Sequence, residues 1–334
     1  MKPGGEKAYN ITGSDWVGAS SFFWGIYTMK SQSLRFVLAG GALLGATVPA
    51  SANIVITPTF DTTITGNGNS VAMMADINNA IGVYQNLLTD NITVKIKFVD
   101  QNSGLGASSA STIHVTYADL RTHMVTDATS TDDATALAHL PIQANDPVTN
   151  AATGVDITTA QSRAMGYVNN PTIDGTIFLN SSICHLDHGV NHASYDYETV
   201  VFHEIDEILG IGGWGSNIGF APGIACLDLF RYDQNGARTF TTVAGQAFFS
   251  LDGTTHIDQF NQAPNGGDYA DWIQHGTPEV QDWAGTQGPG SNLGSSEIRA
   301  LDVSGYNLAT VPEPATFAVL GLGLVAFIRP CKRK

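Results

Sequence analysis

Residues 197–209 read YETVVFHEIDEIL, with Asp196 before them and Gly210 after. Asp caps a helix N-terminus through its side-chain oxygen, and Gly adopts the left-handed conformation that ends a helix, so both ends are specified. On this helix His203 and Glu207 are four residues apart and rise on one face. An imidazole and a carboxylate so placed can share one divalent ion. Because Zn–N and Zn–O bonds are only ~2.0–2.2 Å, His203 Nε2 and a Glu207 oxygen must then approach within about 4 Å. Glu204 stands where the His-Glu-x-x-His arrangement keeps its general base. In that chemistry the ion acidifies water and polarises a carbonyl while the Glu takes the proton. The second His is replaced here by Glu207, which ligates zinc, adds negative charge and admits harder ions such as Mn²⁺ or Ca²⁺.

Upstream of this helix, strands and helices alternate. Residues 53–60 (NIVITPTF) read as a strand. A helix over about 71–88 carries Met74, Ile77, Ile81, Tyr84 and Leu88 on one stripe. Ile92, Val94, Ile96 and Phe98 alternate with polar residues, which predicts a half-buried strand over 92–99. A Gly-Ser loop is expected at 103–111, then helices near 117–127 and 131–140, and a short strand at 176–179. Downstream of Gly210 the spacing is irregular and Gly, Asn, Asp and Pro are frequent. Only 238–243 and 246–251 look like strands, Asn235-Gly236 is a turn, and a last helix fits 296–303. The expected class is α+β: a mixed twisted sheet, an active-site helix and a loop-rich C-terminal subdomain.

Both ends read as addresses. From Met29, a basic start (Lys30, Arg35), an apolar run and Ala50-Ser51-Ala52 form a secretory signal peptide over 29–52. Residues 1–28 are then an N-terminal extension or the product of a start placed too early. The body is 53–310. After it come Val311-Pro312-Glu313-Pro314, fourteen apolar or small residues and a basic cluster, over 311–334. Fourteen helical residues span about 21 Å, short of a hydrocarbon core of about 30 Å, and the basic cluster should stay cytoplasmic. Residues 53–310 hold seven basic against 27 acidic residues, which repels nucleic acid and anionic lipid. In an exported body Cys184 and Cys226 could form a disulfide.

The tail resembles the PEP-CTERM sorting signal of Gram-negative bacteria. That resemblance implies signal peptidase and exosortase as export partners, transient membrane anchoring, and a cell-surface or extracellular destination with a polysaccharide matrix nearby. Read as His203-Glu204-x-x-Glu207-x-x-Gly210, the helix is similar to a metzincin motif whose third His would fall at Gly213. With LDLFRYDQNGARTF (227–240), FFSLDGTTHIDQFNQ (248–262), GGDYADW (266–272) and EIRALDVSGYNL (297–308), it resembles a family of PEP-CTERM-tagged metalloproteases in which HEIxE-LG is the usual form. The resemblance implies a zincin-like fold and a zinc endopeptidase acting on protein or peptide, with Glu204 as base and His203 and Glu207 as ligands. Asp228, in the LDLFRY block at a metzincin-like interval, is the first candidate for third ligand, with a turn cap or a pair with Arg231 as its other reading. His185, His188 and His192 have the spacing of a metal cluster but lie outside the family's recurring blocks and read as a loop of solvated histidines, His256 and His275 carry no assignment, and Tyr232, which could stabilise an oxyanion, is read as a core aromatic. Asp233-x-Asn235-Gly236 is read as a hairpin turn, because the distant Glu of a calcium loop is missing. The alternative is a non-catalytic surface or matrix protein on the same scaffold. A sugar hydrolase has no support, since no two acids are paired across a cleft.

Overall fold

The computed structural model describes residues 53–219, 223–262 and 267–309. The signal segment 29–52 and the tail 311–334 lie outside them. Among the described residues no helix is long and apolar enough to cross a membrane.

In chain order, β1 (Val55–Phe60) leads through a single turn, α1 (Thr62–Thr65), into α2 (Ser70–Leu87). Then come β2 (Thr93–Asp100), β3 (Gly106–Ala110), β4 (Thr112–Val115), α3 (Tyr117–Asp127) and α4 (Thr131–His139). Next are β5 (Val155–Thr158), α5 (Thr159–Ala164), β6 (Gly175–Leu179), β7 (Cys184–His185), β8 (Tyr195–Asp196) and α6 (Tyr197–Leu209). Beyond α6 the regular elements are short: β9 (Ile224–Ala225), β10 (Arg231–Tyr232), β11 (Phe248–Phe249), β12 (Asp258–Gln259) and finally α7 (Ser295–Val303). The result is a mixed α/β body with several small sheets.

The main sheet runs β1-β2-β6-β3, with β1, β2 and β6 parallel and β3 antiparallel at the edge. The alternation read in β2 places Val94, Ile96 and Phe98 in the core. On α2 the stripe buries Ile77, Ile81 and Tyr84, while Met74 is only partly buried. The Gly-Ser loop expected at 103–111 is instead the edge strand β3. Its Gly-Ala-Ser-Ser-Ala sequence has little β-propensity, and pairing with β6 overrides that. The strand expected over 238–243 contributes only an isolated bridge at Arg238.

Helix α6 packs on β3, β6 and α2 and buries nearly every side chain. Asp196 caps it by accepting from the Thr199 amide, and Gly210 ends it at φ 98°. Gly175 makes the packing possible, since a Cβ there would lie 2.2 Å from Ile208 Cδ1. Cys184 and Cys226 are both free thiols, which corrects the expected disulfide. Burial pushes each thiol up to about 12, as suits unreactive core sulfur.

Candidate metal centre

Helix α6 delivers three groups to a groove. His203 Nδ1 donates to the Val280 carbonyl at 2.9 Å, which leaves Nε2 on the groove side, where Gln281 Nε2 lies 3.3 Å from it. Nε2 lies 3.5 Å from Glu207 Oε1 and 3.9 Å from Asp271 Oδ2. Two ligands on one tetrahedral zinc stand about 3.3 Å apart. The three side chains therefore fit a single ion with small adjustments, and their ligand atoms all lie within 4.8 Å of one another. Each carboxylate is also oriented from behind. Ser108 Oγ on β3 donates to Glu207 Oε2 at 2.6 Å, and Gln281 Nε2 donates to Asp271 Oδ1 at 3.0 Å. Such outer partners set ligand orientation in metal sites.

The charges are concentrated and dry. Burial alone would lower the His203 imidazolium, but Asp271, Glu207 and Glu204 around it raise it well above the usual histidine range. Burial, then the Glu207 charge, pushes Glu204 well above the ordinary carboxylate range, with His203 opposing. Asp271 is pushed up to about 8, first by burial, with Glu207 and Asp268 adding to it against His203. Glu204 Oε2 is buried without a hydrogen-bond partner. Four carboxylates and one imidazole gathered this closely favour a divalent cation among them.

Asp228 is not part of this group. It lies fully buried against Arg231, and its two oxygens accept from Ser216 Oγ, the Asn217 and Ala225 amides and Arg231 Nε. Four donors saturate it, so Asp228, expected as a third ligand, does not join His203 and Glu207, and the acid gathered with them is Asp271. Asp228 still bears on the centre indirectly: Arg231 Nη2 donates to the Tyr269 carbonyl at 2.8 Å, within the segment that carries Asp268 and Asp271. Both acids sit in the GGDYADW block, the one sequence signal that could have found them. Position 213 does face the centre. A Cβ on Gly213 would lie 2.5 Å from Glu207 Oε1 and 2.8 Å from Asp268 Oδ2, so carboxylates occupy the room a third His would need.

The groove has two lobes of about 400 Å³ and about 410 Å³. Gly106, His203, Glu204 and Trp283 line both lobes, so Glu204 stands at their junction. Gly106 is needed there, because a Cβ would lie 2.2 Å from Glu204 Oε1.

The other candidates fall elsewhere. Tyr232 is a buried core aromatic, as expected. The Asp233 carboxylate accepts from the Asn235 and Ala237 amides, and Gly236 takes φ 80°, as a turn requires. His256 stacks on Phe248, and His275 bridges Asp258 and Asp282. His185, read as solvated, is buried and engaged with Asp187.

The PEP-CTERM protein-sorting motif matches residues 310–334. No curated protein and no solved structure gives a significant match to the chain. The chain carries a sorting signal that makes it an exported, surface-sorted protein and implies processing by exosortase.

Proposed function

We propose that this exported chain is a metal-dependent peptidase of zincin-like fold, hydrolysing extended segments of polypeptide. One observation carries the reading: Glu204 lies beside the His203–Glu207–Asp271 group where the two lobes of the groove meet. A bond held at that junction has room for chain on either side, as an endopeptidase needs. The wall beside it is the edge strand β3, and an edge strand suits an extended peptide adding to the sheet.

His203 Nε2, Glu207 and Asp271 would hold the ion, and the imidazole among carboxylates favours zinc over calcium. When bound, zinc acidifies water and polarises a carbonyl oxygen. Val280 keeps His203 in the tautomer that presents Nε2, while Ser108 and Gln281 hold the two carboxylates in place. Glu204 takes a proton from water and returns it to the leaving amine. In the same reading, the apolar tail holds the chain in the membrane of a Gram-negative cell until exosortase acts, leaving the body facing protein or peptide substrate in the surface matrix.

The test pairs metal analysis with a casein-cleavage assay. Wild type is expected to hold zinc and cleave, and Glu204→Gln to keep the zinc while losing about 10²–10⁴-fold in rate. Zinc bound with no turnover in wild type would overturn the peptidase and leave a non-catalytic surface protein.

A further inference from the structure

A second group of ligand-type side chains lies apart from His203, in the loop that leads into α6. His185 Nδ1 is 3.0 Å from Asp187 Oδ1, and His192 Nε2 is 2.8 Å from Asp187 Oδ2. The ligand atoms of His185, Asp187 and His192 all lie within 4.8 Å of one another. The tautomer of His185 sharpens the case. Its Nε2 lies 2.8 Å from the Gly288 carbonyl, which can only accept, so Nε2 carries the proton. Nδ1 then meets the Asp187 carboxylate in one of two ways, as the second donor of an imidazolium or as a lone pair across a bound cation. Metal-ligating histidines commonly anchor their other nitrogen on a backbone carbonyl in this way.

The second observation is independent. Asp196 is buried, and its Oδ1 is fully used by the Thr199 amide, the Thr199 hydroxyl and His188 Nδ1. Its Oδ2 is buried with no hydrogen-bond partner and lies 3.8 Å from His185 Nδ1. A buried carboxylate oxygen without a partner, facing an imidazole nitrogen, is unfavourable unless something lies between them.

We propose that His185 Nδ1, His192 Nε2 and Asp187 form a second divalent-cation site of zinc-type chemistry, with Asp196 Oδ2, 3.8 Å from His185 Nδ1, as the buried carboxylate oxygen facing it. Two carboxylates neutralise a divalent ion, which outweighs the partial positive charge of the α6 N-terminus nearby. The site's role is architectural. His185 bonds Gly288, the Gly189 amide donates to the Pro289 carbonyl at 2.8 Å, and the Gly288 amide donates to the Ser194 carbonyl at 3.2 Å. Gly288 and Pro289 line the first lobe of the groove, so an ion here ties the loop before α6 to the groove wall.

Zn²⁺ titrated calorimetrically into the chelator-treated full chain, held in mild detergent, separates the two centres. Wild type is expected to take two ions, His203→Asn/Glu207→Gln one, and Asp187→Asn/His192→Asn one. If Asp187→Asn/His192→Asn binds as many ions as wild type, the cluster is a hydrogen-bonded network holding only protons, and the proposal falls. If the His203 centre takes none, wild type binds one ion and Asp187→Asn/His192→Asn none, so the two readings fail separately. X-ray absorption of zinc-loaded His203→Asn/Glu207→Gln provides a check that does not depend on how the other variant folds. Two imidazoles around the ion are expected there, and fewer than two would overturn the assignment.

Discussion

Residues 53–209 and residues 210–309 meet at the candidate centre, and they build it differently. The first part supplies a helix face and a strand edge, where spacing fixes position: His203 and Glu207 share a face of α6, and Ser108 lies on β3. The second part supplies Asp271, Gln281 and the Val280 carbonyl from segments without long regular elements, held by long-range bonds. The Glu297 carboxylate on α7 accepts from the Gln281 amide, and Arg231 holds the Tyr269 carbonyl. Chemistry can be placed on a periodic scaffold locally, whereas completing a ligand set from loops depends on contacts far apart in sequence.

The largest effect should come from the helix alone. Glu204→Gln is expected to cut turnover by about 10²–10⁴-fold while zinc content stays at the wild-type level. Loss of zinc together with activity would place Glu204 among the ligands instead.

Next is a break in the loop-rich part. Asp228→Ala strands Arg231 in the core, and removing one partner of a buried pair costs about 3–5 kcal/mol. Chemical denaturation should show that loss. A variant of unchanged stability that had lost its zinc would restore Asp228 as a ligand.

The ligand sets themselves follow. Ser108→Ala removes an outer partner and should weaken zinc by about 10–100-fold, and Asp271→Asn by more than that. Zinc affinity measured by competition with a chromophoric chelator ranks the two. An Asp271→Asn affinity equal to wild type would remove the loop part from the site.

The smallest effect lies at a seam between the two parts. Burial raises Asp127 to about 7, with Asp90 adding to it, and burial likewise raises Asp90 and Asp302 to about 6. All three exceed the ordinary carboxylate value, so the folded state holds the extra protons. Their contribution is full below about pH 4 and is lost as pH rises through 6–7. Asp61, beside Lys97, shifts oppositely, to about 2, and its contribution changes only below about pH 4. The chelator-treated protein should therefore melt at a lower temperature at pH 8 than at pH 5, and Asp127→Asn should flatten that slope. A midpoint that rises with pH would contradict the assignment.

What the sequence made legible follows the same divide. The caps of α6, the four-residue step from His203 to Glu207, the stripe of α2 and the alternation of β2 are local, and the structure contains each of them. β3 was hidden because small residues carry no strand signature, yet they are needed where Gly106 meets Glu204. Asp271 was hidden because no period links it to α6. The interval from the helix favours Asp228, but an interval does not report that four donors already surround a carboxylate. The His185 cluster reads as solvated in sequence because loop histidines usually are, whereas packing against Gly288 buries His185.

The most direct test of the centre is diffraction from zinc-soaked crystals at the zinc absorption edge. An anomalous peak is expected about 2.0–2.2 Å from His203 Nε2, a Glu207 oxygen and an Asp271 oxygen. No peak between these three residues, or one ligated by Asp228 in place of Asp271, would contradict this ligand set.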